Sequence, residues 1–143
     1  MRSLCLSAFI LSWLVGASAY AIDDSDVGIY VVVHRDGTLT TKSFRLVKGD
    51  KNWKVEDRRP DGSWVDVTCT GNCVLGVSGP DDIKRFFLST ALAEIVPTCV
   101  HNTAFAFCRY SLVKDPKFRG YIFVALTEQK PISLRLARVA PKK

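Results

Sequence analysis

The chain has 143 residues and carries 20 Lys and Arg against 14 Asp and Glu, for a formal net charge of +6. That length fits one domain with a real core, and neither the first apolar run nor any later segment is long enough to span a bilayer as a helix. There is no internal repeat and no low-complexity tract.

The chain opens as an export signal. Met1 and Arg2 form a short basic region, and Leu4 to Gly16 is apolar apart from Ser7 and Ser12. Ala17-Ser18-Ala19 and Ala19-Tyr20-Ala21 both offer small residues at the −3 and −1 positions of a cleavage site. Residues 1–21 are therefore read as a signal peptide cleaved after Ala21, with Ala19 as second choice. Residues 22–143 form a single disulfide-stabilised β-rich domain that is periplasmic or secreted. Cys5 precedes the apolar run, too early to be a lipidated first mature residue.

The mature N-terminus, Ile22-Asp23-Asp24-Ser25-Asp26, is acidic and expected to fray. Strand signals follow. Ile29 to Arg35 is a β-branched apolar run, and Asp36-Gly37 is a hairpin turn. In Thr38 to Val47, Phe44 and Leu46 alternate with Arg45 and Val47. Two further strands flank Pro60-Asp61-Gly62, where proline presets the first turn position and glycine takes the positive φ. That turn sets a register. Arg58 should face Trp64, Asp57 face Val65, and Val55 face Val67. Trp53, Val55, Val67 and Cys69 then share the inner face, while Lys54, Glu56, Arg58, Trp64, Asp66 and Thr68 share the outer one. Glu56 opposite Asp66 is unfavourable, with Arg58 on the diagonal to relieve it.

One helix is predicted over about 80–95. Ser78 supplies a cap, Pro80 a first-turn proline, and Asp81 and Asp82 early acids. Ile83, Phe86, Phe87, Thr90 and Ala91 follow a helical stripe, and Pro97 ends it. Phe105 to Leu112 is a weakly alternating strand. A last hairpin turns around Gln129-Lys130-Pro131, with Ile132, Leu134 and Leu136 on one face. The expected fold is α+β and mainly β: about seven antiparallel strands in a curved sheet or partly closed barrel, with one helix packed on it.

Removing the signal leaves four cysteines, an even number bound for an oxidising compartment. Two local disulfides, Cys69–Cys73 and Cys99–Cys108, are expected. Gly71 can take the positive φ needed to fold the first pair together. A zinc site would want paired clusters at short spacings, but Cys99 and Cys108 are far apart in sequence and His34 and His101 stand alone. No metal and no cofactor is expected.

Catalytic motifs are incomplete. His34-Arg35-Asp36 matches the start of a kinase catalytic loop, but position 41 is Thr41 where that loop needs asparagine. Gly76-Val77-Ser78-Gly79-Pro80 resembles a nucleophile elbow but ends in Pro80 instead of glycine, so Ser78 is assigned to the helix cap. His101 beside Cys99 and Cys108 would need a free thiolate to form a dyad. Glu56, Asp57, Asp66, Glu94 and Glu128 are scattered, with no visible pairing for glycosidase chemistry.

Charge is the remaining signal. Lys114, Lys117, Arg119, Lys130, Arg135 and Arg138, with Lys142 and Lys143 behind them, form a candidate patch for an anionic partner. Nucleic acid is excluded by the compartment and by the lack of a recognition motif. The partner is expected to be another exported protein or an anionic envelope component. The leading expectation is a non-enzymatic binding protein, such as an inhibitor or immunity-type partner of another exported protein. The alternatives are a small exported hydrolase using carboxylates with His34 or His101, and an accessory structural subunit of an envelope assembly. A deep pocket holding His34 or His101 beside a carboxylate would favour the enzyme.

Overall fold

The computed structural model describes residues 21–68, 74–127 and 129–140. A short 3-10 helix, Asp24–Asp26, leads into β1 (Gly28–Val33), β2 (Leu39–Lys48), β3 (Trp53–Arg58) and β4 (Trp64–Asp66). After β5 (Gly76–Val77) come two short helices, α1 (Pro80–Phe86) and α2 (Ser89–Leu92). The chain finishes with β6 (Ile95–His101), β7 (Phe105–Leu112), β8 (Gly120–Ala125) and β9 (Ile132–Val139).

All nine described strands belong to one open antiparallel sheet, in the order β4-β3-β2-β1-β9-β8-β7-β6-β5. It consists of two meanders, and β1 joins β9 between them. The sheet is curled. A single antiparallel bridge from Trp53 to Leu75, just ahead of β5, ties β3 to the far edge. The Asn102 side chain also donates to the Thr68 carbonyl at 2.5 Å.

Alternation along the strands builds a core on each side of the sheet. Inside the curl, Tyr30, Leu46, Val55, Val100 and Phe107 are almost fully buried with Phe44, Phe105 and Leu136 around them. Outside it, Phe86 and Phe87 from the helical segment cover Cys99, Ala106, Cys108 and Val124. β7 is therefore apolar on both faces, which explains why its sequence alternates so weakly. Cys99 and Cys108 face each other across β6 and β7 and form the expected disulfide, with Cα atoms 4.1 Å apart. The Cys69–Cys73 pair lies outside the described residues.

The Pro60-Asp61-Gly62 register is observed. Arg58 pairs with Trp64, Asp57 with Val65 and Glu56 with Asp66, and Gly62 has a φ of +85°. The Arg58 guanidinium lies 5.8 Å from the Trp64 ring centre, and Arg45 lies closer still at 4.7 Å. Relief of the Glu56–Asp66 repulsion comes from Arg45 on Glu56 and Lys54 beside Asp66, in place of the expected Arg58. Thr68 departs from the outer-face expectation. It is buried, and its hydroxyl accepts the Val55 amide at 3.0 Å.

Two expectations are corrected. The predicted seven strands are nine among the described residues, because β5 and β6 add to the count. The predicted helix over 80–95 is two short helices, broken where Phe87 turns extended (φ −125°, ψ 143°). Pro97 does not stop a helix; it lies inside β6 opposite Tyr110. β5 covers β6 only at Val100 and His101, so Pro97 sits on an open stretch of edge where a missing N–H costs no ladder bond.

Candidate functional site

Where β7 ends and β8 begins, two aromatic side chains form a ridge with arginines around it. Tyr110 faces Gly120 across β7 and β8. A Cβ on Gly120 would fall 2.3 Å from the Tyr110 ring, so only glycine lets the ring lie against β8. Phe118, from the loop before β8, packs on Tyr110 with ring centres 5.7 Å apart and stays 40% exposed. On one side of this ridge a groove of about 310 Å³ is lined by Tyr110, Phe118, Arg119, Arg135 and Arg138. On the other side a groove of about 280 Å³ runs past Val96, Arg109 and Arg119.

The arginines are held in place by backbone and hydroxyl oxygens. Arg119 donates to the Ser25 hydroxyl at 2.9 Å. Arg138 donates to the Ser25 and Val27 carbonyls at 2.8 and 2.6 Å. Arg135 donates to the His34 carbonyl at 3.0 Å. Each guanidinium has five N–H donors, so all three keep donors for an incoming anion. Lys114 and Lys117 lie exposed in the loop that carries Arg119, whereas Lys130 lies in the turn at the opposite end of the β8–β9 hairpin.

The buttress under this groove is the segment expected to fray. Ile22 is buried in the inner core, and Asp26 is fully buried. Asp26 accepts from Arg109 at 2.6 Å, from the Asp23 amide at 2.9 Å and from the Tyr121 hydroxyl at 3.1 Å. The Tyr30 hydroxyl donates to the Asp26 carbonyl, and Arg109 also reaches the Ala21 carbonyl at 3.0 Å. Burial, then the neighbouring Tyr121, pushes the Tyr30 phenol up; burial, then Asp26, does the same to Tyr121. Hydrogen bonds from Ser25, then Arg109, hold the Asp23 carboxyl at about 2. An acidic stretch looks frayed in sequence because its partner is remote: Arg109 is 83 residues away from Asp26. The one signal for it was a lone arginine inside an apolar strand, Phe105 to Leu112.

A second cluster forms where α1 meets β6. The Ser78 hydroxyl lies 2.8 Å from His101 Nδ1, and His101 Nε2 lies 3.6 Å from Asp82 Oδ1. With the ring proton on Nε2 facing the carboxylate, Nδ1 accepts from Ser78. His101 and Asp82 line an open depression that also borders Arg85. Ser78 is thus no helix cap. Gly79 occupies the N-cap position, and its amide donates to Asp82 Oδ2 at 3.0 Å. The Ser78 amide itself donates to the Cys99 carbonyl at 3.0 Å. Both amides nearest the hydroxyl are committed, so neither offers the oxyanion donors that acyl transfer requires.

Comparison with protein-family models, curated proteins and solved structures found no match.

The other predicted residues are dispersed. His34 is exposed just past β1, in the Asp36-Gly37 turn. Glu56 pairs with Arg45, Asp57 with Lys42, and Asp66 lies near Lys54. Glu94 is exposed, and Glu128, Lys142 and Lys143 lie outside the described residues. Among the described residues, no three His, Cys, Asp or Glu side chains are grouped to hold a metal, and no helix is long and apolar enough to cross a membrane.

Proposed function

We propose that this chain is an exported, non-enzymatic binding protein that holds an acidic protein partner against the Tyr110–Phe118 ridge and its arginines. The observation that supports this most is one groove lined by two aromatic rings together with Arg119 and Arg138, both held on Ser25. Aromatic residues and arginine are the types that dominate binding hot spots. Rings supply area at little entropic cost, and guanidinium forks grip carboxylates in pairs of hydrogen bonds. The net charge of the domain without Arg2, one less than the +6 of the whole chain, would steer such a partner inward.

The hydrolase alternative has one observation in its favour, the Ser78–His101–Asp82 chain of contacts. The committed amides of Ser78 and Gly79 count against it.

The test is co-purification of tagged mature protein from its native extract. The expected result is a single stoichiometric partner, lost with Phe118→Ala or Arg119→Glu and retained with Lys130→Glu. Raising salt should release it, because screening shortens to about 3 Å at 1 M. No partner, or a partner indifferent to Arg119→Glu, would overturn the proposal.

A further inference from the structure

The hairpin turns at one end of the sheet carry a charge pattern that the acidic-partner reading does not use. Antiparallel neighbours in the order β4-β3-β2-β1-β9-β8 bring the β3–β4, β1–β2 and β8–β9 turns to the same end. Lys130 stands in the last of these turns, and the loop carrying Arg119 lies at the other end. Side by side, the three turns form a rim of the curled sheet.

Cations stand on all three turns. Arg35, Arg58, Arg59 and Lys130 are exposed. Arg58 and Arg59 border, with Lys42, a depression of about 610 Å³ beside the β3–β4 turn. Arg135 reaches the His34 and Arg35 carbonyls at 3.0 and 3.4 Å, which adds its charge beside the β1–β2 turn. The acids of the first two turns are engaged locally. Asp36 accepts from the Thr38 amide at 2.9 Å and from its hydroxyl at 2.7 Å. Asp61 does the same with Ser63, at 2.8 and 2.6 Å. Asp57, in the depression, is taken by Lys42 at 2.5 Å.

Aliphatic side chains are set among these cations. Leu39, the first residue of β2, is 59% exposed, and Ile132, the first of β9, is 48% exposed. Leu39 pairs with Val33, the last residue of β1, so it flanks the β1–β2 turn. Ile132 directly follows the turn that holds Lys130. A soluble anion would answer the cations and offer nothing to the aliphatics. A bilayer with anionic headgroups answers both, with phosphates for the cations and the acyl boundary for the aliphatics. The shape agrees, because turns at the end of a sheet meet a flat surface, whereas the ridge arginines line grooves.

We propose that this rim docks on the surface of an anionic bilayer, with Arg35, Arg58, Arg59 and Lys130 at the lipid phosphates and Leu39 and Ile132 in the interface. Docking in this way leaves the Tyr110–Phe118 ridge, at the far end, facing away from the lipid. The rim and the ridge share none of these residues, so the two proposals stand or fall separately.

The test is sedimentation of the mature protein with vesicles of phosphatidylcholine alone or of phosphatidylcholine mixed with phosphatidylglycerol. The protein should pellet with the mixed vesicles at low salt and stay in solution with phosphatidylcholine alone. Each cation near an anionic surface contributes about fivefold in partitioning. Arg59→Gln combined with Lys130→Gln, two exposed residues on separate turns, should therefore weaken binding roughly 25-fold. Leu39→Asn should weaken it severalfold at unchanged charge. Arg119→Glu, at the ridge, should leave it unchanged. No pelleting with the mixed vesicles, equal pelleting with both lipids, or a loss with Arg119→Glu as large as with the rim pair would each overturn the proposal. Binding indifferent to Leu39→Asn would overturn it too, and would make the rim a site for soluble polyanions instead.

Discussion

Replacing Arg109 with methionine tests how the N-terminal segment supports the arginine groove. The Arg109 side chain is 6% exposed and that of Asp26 is 0% exposed, with N and O 2.6 Å apart. Methionine fills similar volume, so little of the effect should come from a cavity. What remains is a buried carboxylate with two neutral donors, the Asp23 amide and the Tyr121 hydroxyl. Breaking one side of a buried pair costs about 3–5 kcal/mol, and the two surviving donors place Arg109→Met near the lower bound. The loss should appear in urea unfolding as a lower midpoint at unchanged slope. Adding Asp26→Asn should recover part of it, because the stranded charge is then gone. The same substitution should loosen Ser25, the acceptor for both Arg119 and Arg138. Amides of residues 23–27 should exchange faster, and the acidic partner should dissociate faster. A loss below about 1 kcal/mol, within the range of ordinary point mutants, would refute the buttress, as would a double variant no more stable than Arg109→Met.

Replacing Cys99 and Cys108 together with alanine should cost about 2–3 kcal/mol from loop closure alone, given their separation of 9 residues; an unchanged urea midpoint would contradict this. Ser78→Ala should lose about 0.5–1.5 kcal/mol for its hydrogen bond to His101 and leave partner capture intact, whereas a folded variant that had lost a measured hydrolytic activity would revive the nucleophile reading. The Asp23 carboxyl is held at about 2 against an ordinary 3.8. Its folded-state value is depressed, so its contribution is present above about pH 4 and lost as pH falls toward 2. The contribution is small because the side chain is 53% exposed, and identical acid limbs for wild type and Asp23→Asn would rule it out.

The sequence by itself determined what neighbours determine. The turns at Asp36-Gly37 and Pro60-Asp61-Gly62, the register from Arg58 to Trp64, and the pairing of Cys99 with Cys108 all rest on residues close along the chain. Local φ preferences and the two-residue period of a strand are enough for these. It was also enough to mark Arg119, Arg135 and Arg138 as cationic candidates. Only the tertiary structure decided which cations meet, because that depends on β1 pairing with β9 and on Ser25 lying beneath two arginines. Pro97 read as a helix stop because its missing N–H is costly in most settings, and only the short reach of β5 leaves it on an open edge of β6. Asp26 read as a solvated acid, since its charge looks costly to bury until Arg109 arrives from a strand remote in sequence. Ser78 read as a cap because cap preference is local, whereas its hydrogen bond to His101 exists only once β5 and β6 lie side by side. In each case the residue's local preference was real, and the surroundings that overrode it exist only once the chain has folded.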